Sequence, residues 1–267
     1  MHVGRHCTTR WRPVPTRCQR GVMNDGIFDD MVARTYDESS SEMFDDAVLG
    51  PTVDLLVDLA DGGRVLEFAV GTGRVAVPLS ARGVDVCGVE MSRAMVARMA
   101  VKPGADRIAV TIGDMASTRV EGTFSLVYLV YNTITNLLSQ DAQVQCFRNA
   151  AAHLEPGGCF VVETFVPALR RLPLGERFVA FDASPDHACV DEYDVVDQQL
   201  VSHHYWVGPE GTTRFDSPHR WAFPAEYDLM ARLAGMSLDE RWGDWQRSPF
   251  TAESTSHVSV WRTSRER

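Results

Sequence analysis

Residues 65–73 read VLEFAVGTG. An apolar run of strand length, RVLEFAV (64–70), leads into a loop carrying Gly71 and Gly73. One acid, Glu67, lies inside that run. An unpaired carboxylate in a buried strand is costly, so its presence asks for a cationic partner. Gly71-Thr-Gly73-Arg-Val-Ala76 also fits a loose G-x-G-x-x-A dinucleotide pattern, which alone is weak. Glu67 separates the two readings. It repels a pyrophosphate and attracts a ligand that carries an ammonium group. The next run, RVAVPLSAR (74–82), reads as a helix opening at the glycines and closed by Gly83. Its first amides suit a carboxylate. A ligand with a free amino-acid moiety meets both demands.

Working outward, the chain alternates strand and helix patterns. Residues 42–60 have apolar positions at helical spacing around Gly50–Pro51 and read as one or two short helices. VDVCGVE (84–90) reads as a second strand, with Ser92 as N-cap of a helix over 93–100. RIAVTIGDM (107–115) and FSLVYLVYN (124–132) are the third and fourth strands. Ser139 and Asp141 open a helix running to Leu154, and Pro156-Gly157-Gly158 ends it. CFVVETF (159–165) is a fifth strand. This rhythm predicts a parallel sheet with helices on both faces.

The rhythm breaks after Val166. Runs FVAFD, CVDEYDVV and LVSHHYWV, with turn signals at Ser184–Pro185 and Gly208–Pro209, predict an antiparallel meander. Pro224 at the first helical position and Glu226 then open a helix to Gly235. Two strands near 237–245 and 255–262 complete the pattern.

Three acids fall at the ends of the first three strands: Glu67, Glu90 and Asp114. Together with the glycine loop, the chain here resembles class I S-adenosylmethionine-dependent methyltransferases of the small-molecule-modifying type. Their first motif is an acid followed by alternating glycines, here Glu67-Phe-Ala69-Val-Gly71-Thr-Gly73, with Ala69 in place of the usual first glycine. The resemblance spans roughly residues 30–165 and the last helix and two strands. It implies an α/β, Rossmann-like, seven-stranded, mostly parallel sheet with an antiparallel last strand, plus the small β meander inserted between strands five and six. It places the methyltransferase domain at 23–166 and 223–267, with the meander, 167–222, covering an acceptor pocket.

The resemblance also assigns roles. S-adenosylmethionine is the implied methyl donor. Glu90, 19 residues after Gly71, is expected on the ribose hydroxyls, and Met91 against the adenine. Asp114 with Met115 is expected at the adenine amino group. EPGG (155–158) before strand five is a further family feature. Tyr36, in Thr35-Tyr36-Asp37, either lies beside the methionine portion or packs between helices. Tyr131-Asn132 sit where the family's methyl group emerges, which makes Tyr131 a candidate for both cofactor binding and catalysis. Methyl transfer is an in-line displacement governed by alignment, and a base is needed only when the acceptor keeps its proton. His203 and His204 are the candidate bases, pointing to opposite faces of one strand. Glu163 is either an acid facing the acceptor or a partnered core acid. Tyr205, Trp206 and Trp221 either stack on an acceptor or build the meander core. Two other readings are a nicotinamide-dependent dehydrogenase and a non-catalytic S-adenosylmethionine-binding regulator.

Composition is consistent with this reading. The chain of 267 residues is 45% apolar and 23% charged, an ordinary globular balance. A formal charge of −10 disfavours nucleic acid as a general partner. No apolar run approaches the roughly 18 residues of a membrane span. The six cysteines form no CxxC pair and no spacing typical of zinc ligands, so neither metal nor disulfide is expected. A small-molecule acceptor, a cytoplasmic setting and a monomer or homodimer complete the expectations. The first 22 residues hold five arginines and no acid, which reads as a disordered tail or an over-extended start before Met23.

Overall fold

The computed structural model describes residues 28, 30–39, 41–209 and 211–265. The expected tail over 1–22, with Cys7 and Cys18, and the alternative start at Met23 lie outside the described residues.

Seven strands form one sheet: β1 (Val65–Phe68), β2 (Val86–Glu90), β3 (Ala109–Ile112), β4 (Phe124–Leu129), β5 (Leu154–Phe165), β10 (Met236–Trp242) and β11 (Ser256–Thr263). Their order is β10-β11-β5-β4-β1-β2-β3. All neighbours pair in parallel except at β11, which runs antiparallel to both β5 and β10. The expected antiparallel last strand is therefore present. β1 lies between β2 and β4, so successive connections diverge from it. Open α/β sheets bind ligands at such a switch point, beyond the strand carboxyl ends.

The strands are apolar on both sides because helices cover both faces. α2 (Asp46–Ala60) and α3 (Ala76–Ala81) pack Leu56 and Leu79 against Val65, Leu126 and Tyr128. α5 (Gln140–His153) and α6 (Pro224–Leu233) cover the other face, around Phe147, Phe160, Tyr227 and Trp261. Phe147 meets Phe160 edge-on at 5.0 Å and Trp261 at 5.2 Å. Each such fully buried aromatic contributes on the order of 2 kcal/mol from its removed apolar surface. α1 (Asp30–Ser39) packs near α4 (Arg93–Ala100).

The expected N-caps are found. Ser92 accepts from the Met95 amide and Ser139 from the Ala142 amide. Pro224 is the first residue of α6. Residues 46–60 form a single helix with Pro51 inside it, preceded by a 3-10 turn at Ser41–Phe44. Other boundaries differ from expectation. The helix after the glycine loop starts at Ala76, not 74, because the residues from Val70 to Val75 are spent on the turn. The fourth strand stops at Leu129, since Tyr131 and Asn132 both take left-handed backbone angles, φ 55° and 61°. α5 ends at His153 and β5 starts at once, with the Gly157 stretch inside the strand.

Between β5 and α6 lies a separate antiparallel sheet in the order β6-β7-β8-β9. Its strands are β6 (Phe178–Ala183), β7 (His187–Asp194), β8 (Gln199–Gly208) and β9 (Gly211–Arg220). Three of these were expected. β9 was missed because TTRFDSPHR has few β-formers and includes a proline, which an edge strand tolerates. Val179, Tyr193, Leu200 and Trp221 form this sheet's small core.

Candidate active site

The carboxyl ends of β1 to β4 open onto a cavity of ≈ 250 Å³. Ala69 borders it after β1, Glu90 and Met91 after β2, and Gly113 and Met115 after β3. Thr133, Asn136, Leu137 and Leu138 enter from the turn after β4, Pro218 from β9, and Phe28 from the N-terminal segment. The walls are mostly apolar, and Glu90 is the only acid among the described residues that line them. The site therefore combines a mostly hydrophobic cavity with one braced carboxylate.

Glu90 is held from two sides. Its Oε2 accepts from the Gly71 amide and its Oε1 from the Ser92 amide, both at 2.8 Å. Those bonds fix the carboxylate across the β1–β2 gap, and each carboxylate oxygen has capacity for more than one donor. Gly73, at φ 78°, has no room for a side chain, because an added Cβ would come within 2.9 Å of Met99 and Val77. Ala69 takes φ 54°, a left-handed angle that disfavours any residue with a Cβ. This explains why glycine is usual at that position.

Glu67 has internal partners. It is buried, and its Oε2 accepts a 2.7 Å bond from the Tyr128 hydroxyl on β4. The Ala76 amide also donates to it, and Arg74 is near enough to favour its charge. Burial outweighs these and pushes its pKa up to about 8. The expectation of an acid without a protein partner is thus corrected. The first amide of α3, expected to be open to a ligand, is given to Glu67. Asp114 sits between the lining residues Gly113 and Met115, and its Oδ1 accepts from the Ala116 amide, shaping the β3 turn.

The N-terminal segment closes one side. The Ser92 hydroxyl donates to the Phe28 carbonyl at 2.6 Å, and Phe28 meets the Tyr36 ring edge-on at 6.1 Å. Asp37 accepts from Thr72 in the glycine loop and pairs with Lys102 at 2.6 Å. Burial, reinforced by Tyr131, Asp37 and Glu90 and opposed by Arg74, raises the Tyr36 phenol to about 12. Tyr36 is therefore a neutral phenol that shares its surroundings with Glu90 and Tyr131.

Tyr131 is exposed at the tip of β4, with the Arg74 guanidinium 5.3 Å from its ring centre. Its left-handed turn is held from β5. The Glu163 carboxylate accepts from the Tyr131 amide at 2.8 Å, and Asn132 Oδ1 accepts from the Phe165 amide at 2.8 Å. Of the two readings for Glu163, its contact is that of a partnered acid bracing the turn.

The structure places the two candidate bases away from the cavity lining. His203 is buried between two carboxylates, Asp216 at 2.7 Å and Glu192 at 3.1 Å. His204 points to the opposite face, where it meets Cys189 and His187. Trp221 belongs to the small core, while Trp206 is partly exposed and stacks on His187 and His204. Tyr205 lies beneath the Arg214 guanidinium.

The histidine that touches the β4 turn is His219, which the sequence reading passed over. The Thr135 hydroxyl donates to the Asn132 carbonyl at 2.7 Å and so accepts from His219 Nδ1 at 3.0 Å. This fixes the proton on Nδ1 and the lone pair on Nε2. Burial first, then His204, lowers its pKa to about 4, so the ring is neutral at pH 7. The signal for His219 lies only in the pairing of β9 beside the turn, which a missed strand hides.

Residues 65–158 match a family model described as a methyltransferase domain. The chain is 29% identical over 236 residues to the cypemycin N-terminal methyltransferase of a Streptomyces species, covering 84% of this chain and 96% of that one. The solved structure of the CcbJ methyltransferase from Streptomyces caelestis aligns at 36% identity with a TM-score of 0.79, over 90% of this chain and 99% of that chain. S-adenosylmethionine-bound CalS10, an amino pentose methyltransferase from Micromonospora echinaspora, shares the fold at 20% identity and a TM-score of 0.59, covering 79% and 89%. Neither the dehydrogenase nor the non-catalytic reading finds support among these relatives. The chain belongs to the class I S-adenosylmethionine-dependent methyltransferases, with S-adenosylmethionine as its methyl donor.

Proposed function

We propose that the protein methylates a nucleophilic nitrogen or oxygen of a small-molecule acceptor, with an amine the favoured class. The carrying observation is the cavity itself, where one braced carboxylate, Glu90, faces an otherwise apolar slot at the switch point of the sheet. That donor set suits a nucleoside: a diol for the carboxylate and a flat base for Met91, Met115 and Leu137. Gly71 and Gly73 let the backbone curve around the cavity floor. Asp114, between the lining residues Gly113 and Met115, is the proposed acceptor for an exocyclic amine. Glu67 acts from beneath, fixing the loop through the Ala76 amide. Tyr36 covers the methionine end.

Bound S-adenosylmethionine supplies an electrophilic methyl group on a sulfonium. The protein's task is alignment. Tyr131, stiffened by Glu163 and Asn132, sets the wall on the acceptor side. The four-stranded sheet, residues 167–222 with their flanks, limits the acceptor to small molecules and excludes water. His219, beside the lining residue Pro218 and bonded to Thr135 of the turn after β4, is the histidine we favour over His203 and His204 as receiver of an acceptor proton. An amine is favoured because the relative similar over most of the chain is named for methylation at an N-terminus.

The test is transfer of isotopically labelled methyl from S-adenosylmethionine to a panel of small amines and their hydroxyl analogues. Label in an amine product is expected. Label only in hydroxyl products overturns the amine preference, and no transfer to any small molecule overturns the function.

A further inference from the structure

We propose that His187, Cys189 and His204 form a binding site for a zinc-class transition-metal ion on the four-stranded sheet, separate from the methyl-transfer cavity. His187 and Cys189 are two apart on β7 and so share a face. The pairing of Cys189 with His204 brings β8's histidine to that face. Cys189 Sγ lies 3.0 Å from His187 Nε2 and 3.0 Å from His204 Nδ1, and the two ring nitrogens are 3.3 Å apart. Three electron-pair donors thus converge on one point. A tetrahedral zinc ion with Zn–N near 2.0 Å and Zn–S near 2.3 Å separates its ligands by roughly 3.3–3.6 Å. An outward adjustment of a few tenths of an ångström admits it.

The surroundings are those of a ligand set. Asp182 on β6 accepts from His187 Nδ1 at 2.7 Å. That bond fixes the Nδ1 proton and turns the Nε2 lone pair to the centre, the carboxylate–histidine arrangement that supports metal ligands. Asp182 and Asp191 both place negative charge near Cys189. Cys189 is buried, whereas His187 and His204 are only partly so, which leaves a side open for a fourth ligand. Trp206 stacks on both imidazoles at 4.8 and 5.4 Å, and Phe181 packs edge-on against His204 at 6.0 Å. One thiol proton cannot serve two ring nitrogens at once, but a cation accepts from all three atoms. On binding, the sulfur–metal bond forms, the thiol proton passes to solvent, and the ring nitrogens contribute existing lone pairs.

The position gives the ion a purpose. The small core of Val179, Tyr193, Leu200 and Trp221 sits where β7 ends and β8 begins. His187, Cys189 and His204 lie toward the other end, where Trp206 and Phe181 are substantially exposed. A metal there ties β7 and β8 together, with β6 joined through Asp182, at the end of the sheet that the small core of the described residues does not reach.

The test uses the full-length protein, freed of metal and titrated with Co²⁺, then competed with Zn²⁺. A thiolate-to-cobalt charge-transfer band saturating at one equivalent is expected, and zinc should displace it. Cys189→Ser should abolish the band, and His187→Asn should weaken metal affinity at least ten-fold. Asp182→Asn should keep the band while weakening affinity by roughly ten- to a hundred-fold. Circular dichroism and unchanged S-adenosylmethionine binding report that each variant is folded. No band in folded wild-type protein overturns the proposal and leaves a hydrogen-bonded His–Cys cluster instead. A band that survives Cys189→Ser comes from other thiols and also overturns it.

Discussion

The Tyr128 hydroxyl donates a 2.7 Å hydrogen bond to the Glu67 carboxylate, across the gap between β4 and β1. The two residues are paired in register and both are buried. The acid of the glycine motif is therefore anchored to the neighbouring strand before any ligand arrives. Tyr128→Phe keeps the ring but leaves that carboxyl short of a donor. It should cost about 1–3 kcal/mol, the usual penalty for an unsatisfied buried group, as read by urea unfolding. An unchanged midpoint shows that the bond is dispensable.

The Glu67 pKa, raised to about 8, sets a direction for stability against pH. The folded protein retains this proton where the unfolded chain, near 4.5, has lost it. Stability from this group is complete below pH 4.5 and is lost as pH rises through 8, at most on the order of 1 kcal/mol per pH unit. Unfolding measured between those limits should show that decline. Glu67→Gln, which cannot ionise, should flatten it. A slope unaffected by Glu67→Gln contradicts the assignment.

Ala69 holds a left-handed backbone angle at the point where the glycine loop begins. Ala69→Gly should relieve strain by roughly 0.5–1 kcal/mol after allowing for the greater entropy of an unfolded glycine. Thermal unfolding should show a higher midpoint with S-adenosylmethionine affinity kept. A lower midpoint means the methyl group contributes more through packing than it loses in strain.

Glu163 braces the Tyr131 turn from β5 without lining the cavity. Glu163→Ala should leave S-adenosylmethionine affinity within about two-fold but lower kcat/KM for the acceptor ten-fold or more, since misalignment acts on the transfer step. Equal loss of donor binding indicates a wider collapse of the site.

Much of this was written plainly in the sequence. The strand and helix order of the large sheet follows from apolar runs separated by N-caps and glycines, and Ser92, Ser139 and Pro224 mark helix starts by local chemistry alone. Ala69, Glu90, Met91 and Met115 line the cavity because strand ends deliver them there. What stayed hidden depends on pairing between distant strands. Tyr128 partners Glu67 only through the β1–β4 register, and His219 reaches Thr135 only once β9 is placed. His187, Cys189 and His204 show no recognisable ligand spacing in one dimension, and the β7–β8 register gathers them. His203 and His204 were singled out by residue type, but their surroundings are the carboxylates and rings of the small sheet.

Calorimetric titration of S-adenosylmethionine, or its demethylated product, into wild-type protein and Glu90→Ala tests the central claim most directly. The account predicts single-site binding to the wild type and affinity at least ten-fold weaker in the folded variant, since a charge-assisted bond to the carboxylate contributes about 1.5–3 kcal/mol. Folded wild-type protein that binds neither compound, or a variant that binds as tightly as the wild type, contradicts it.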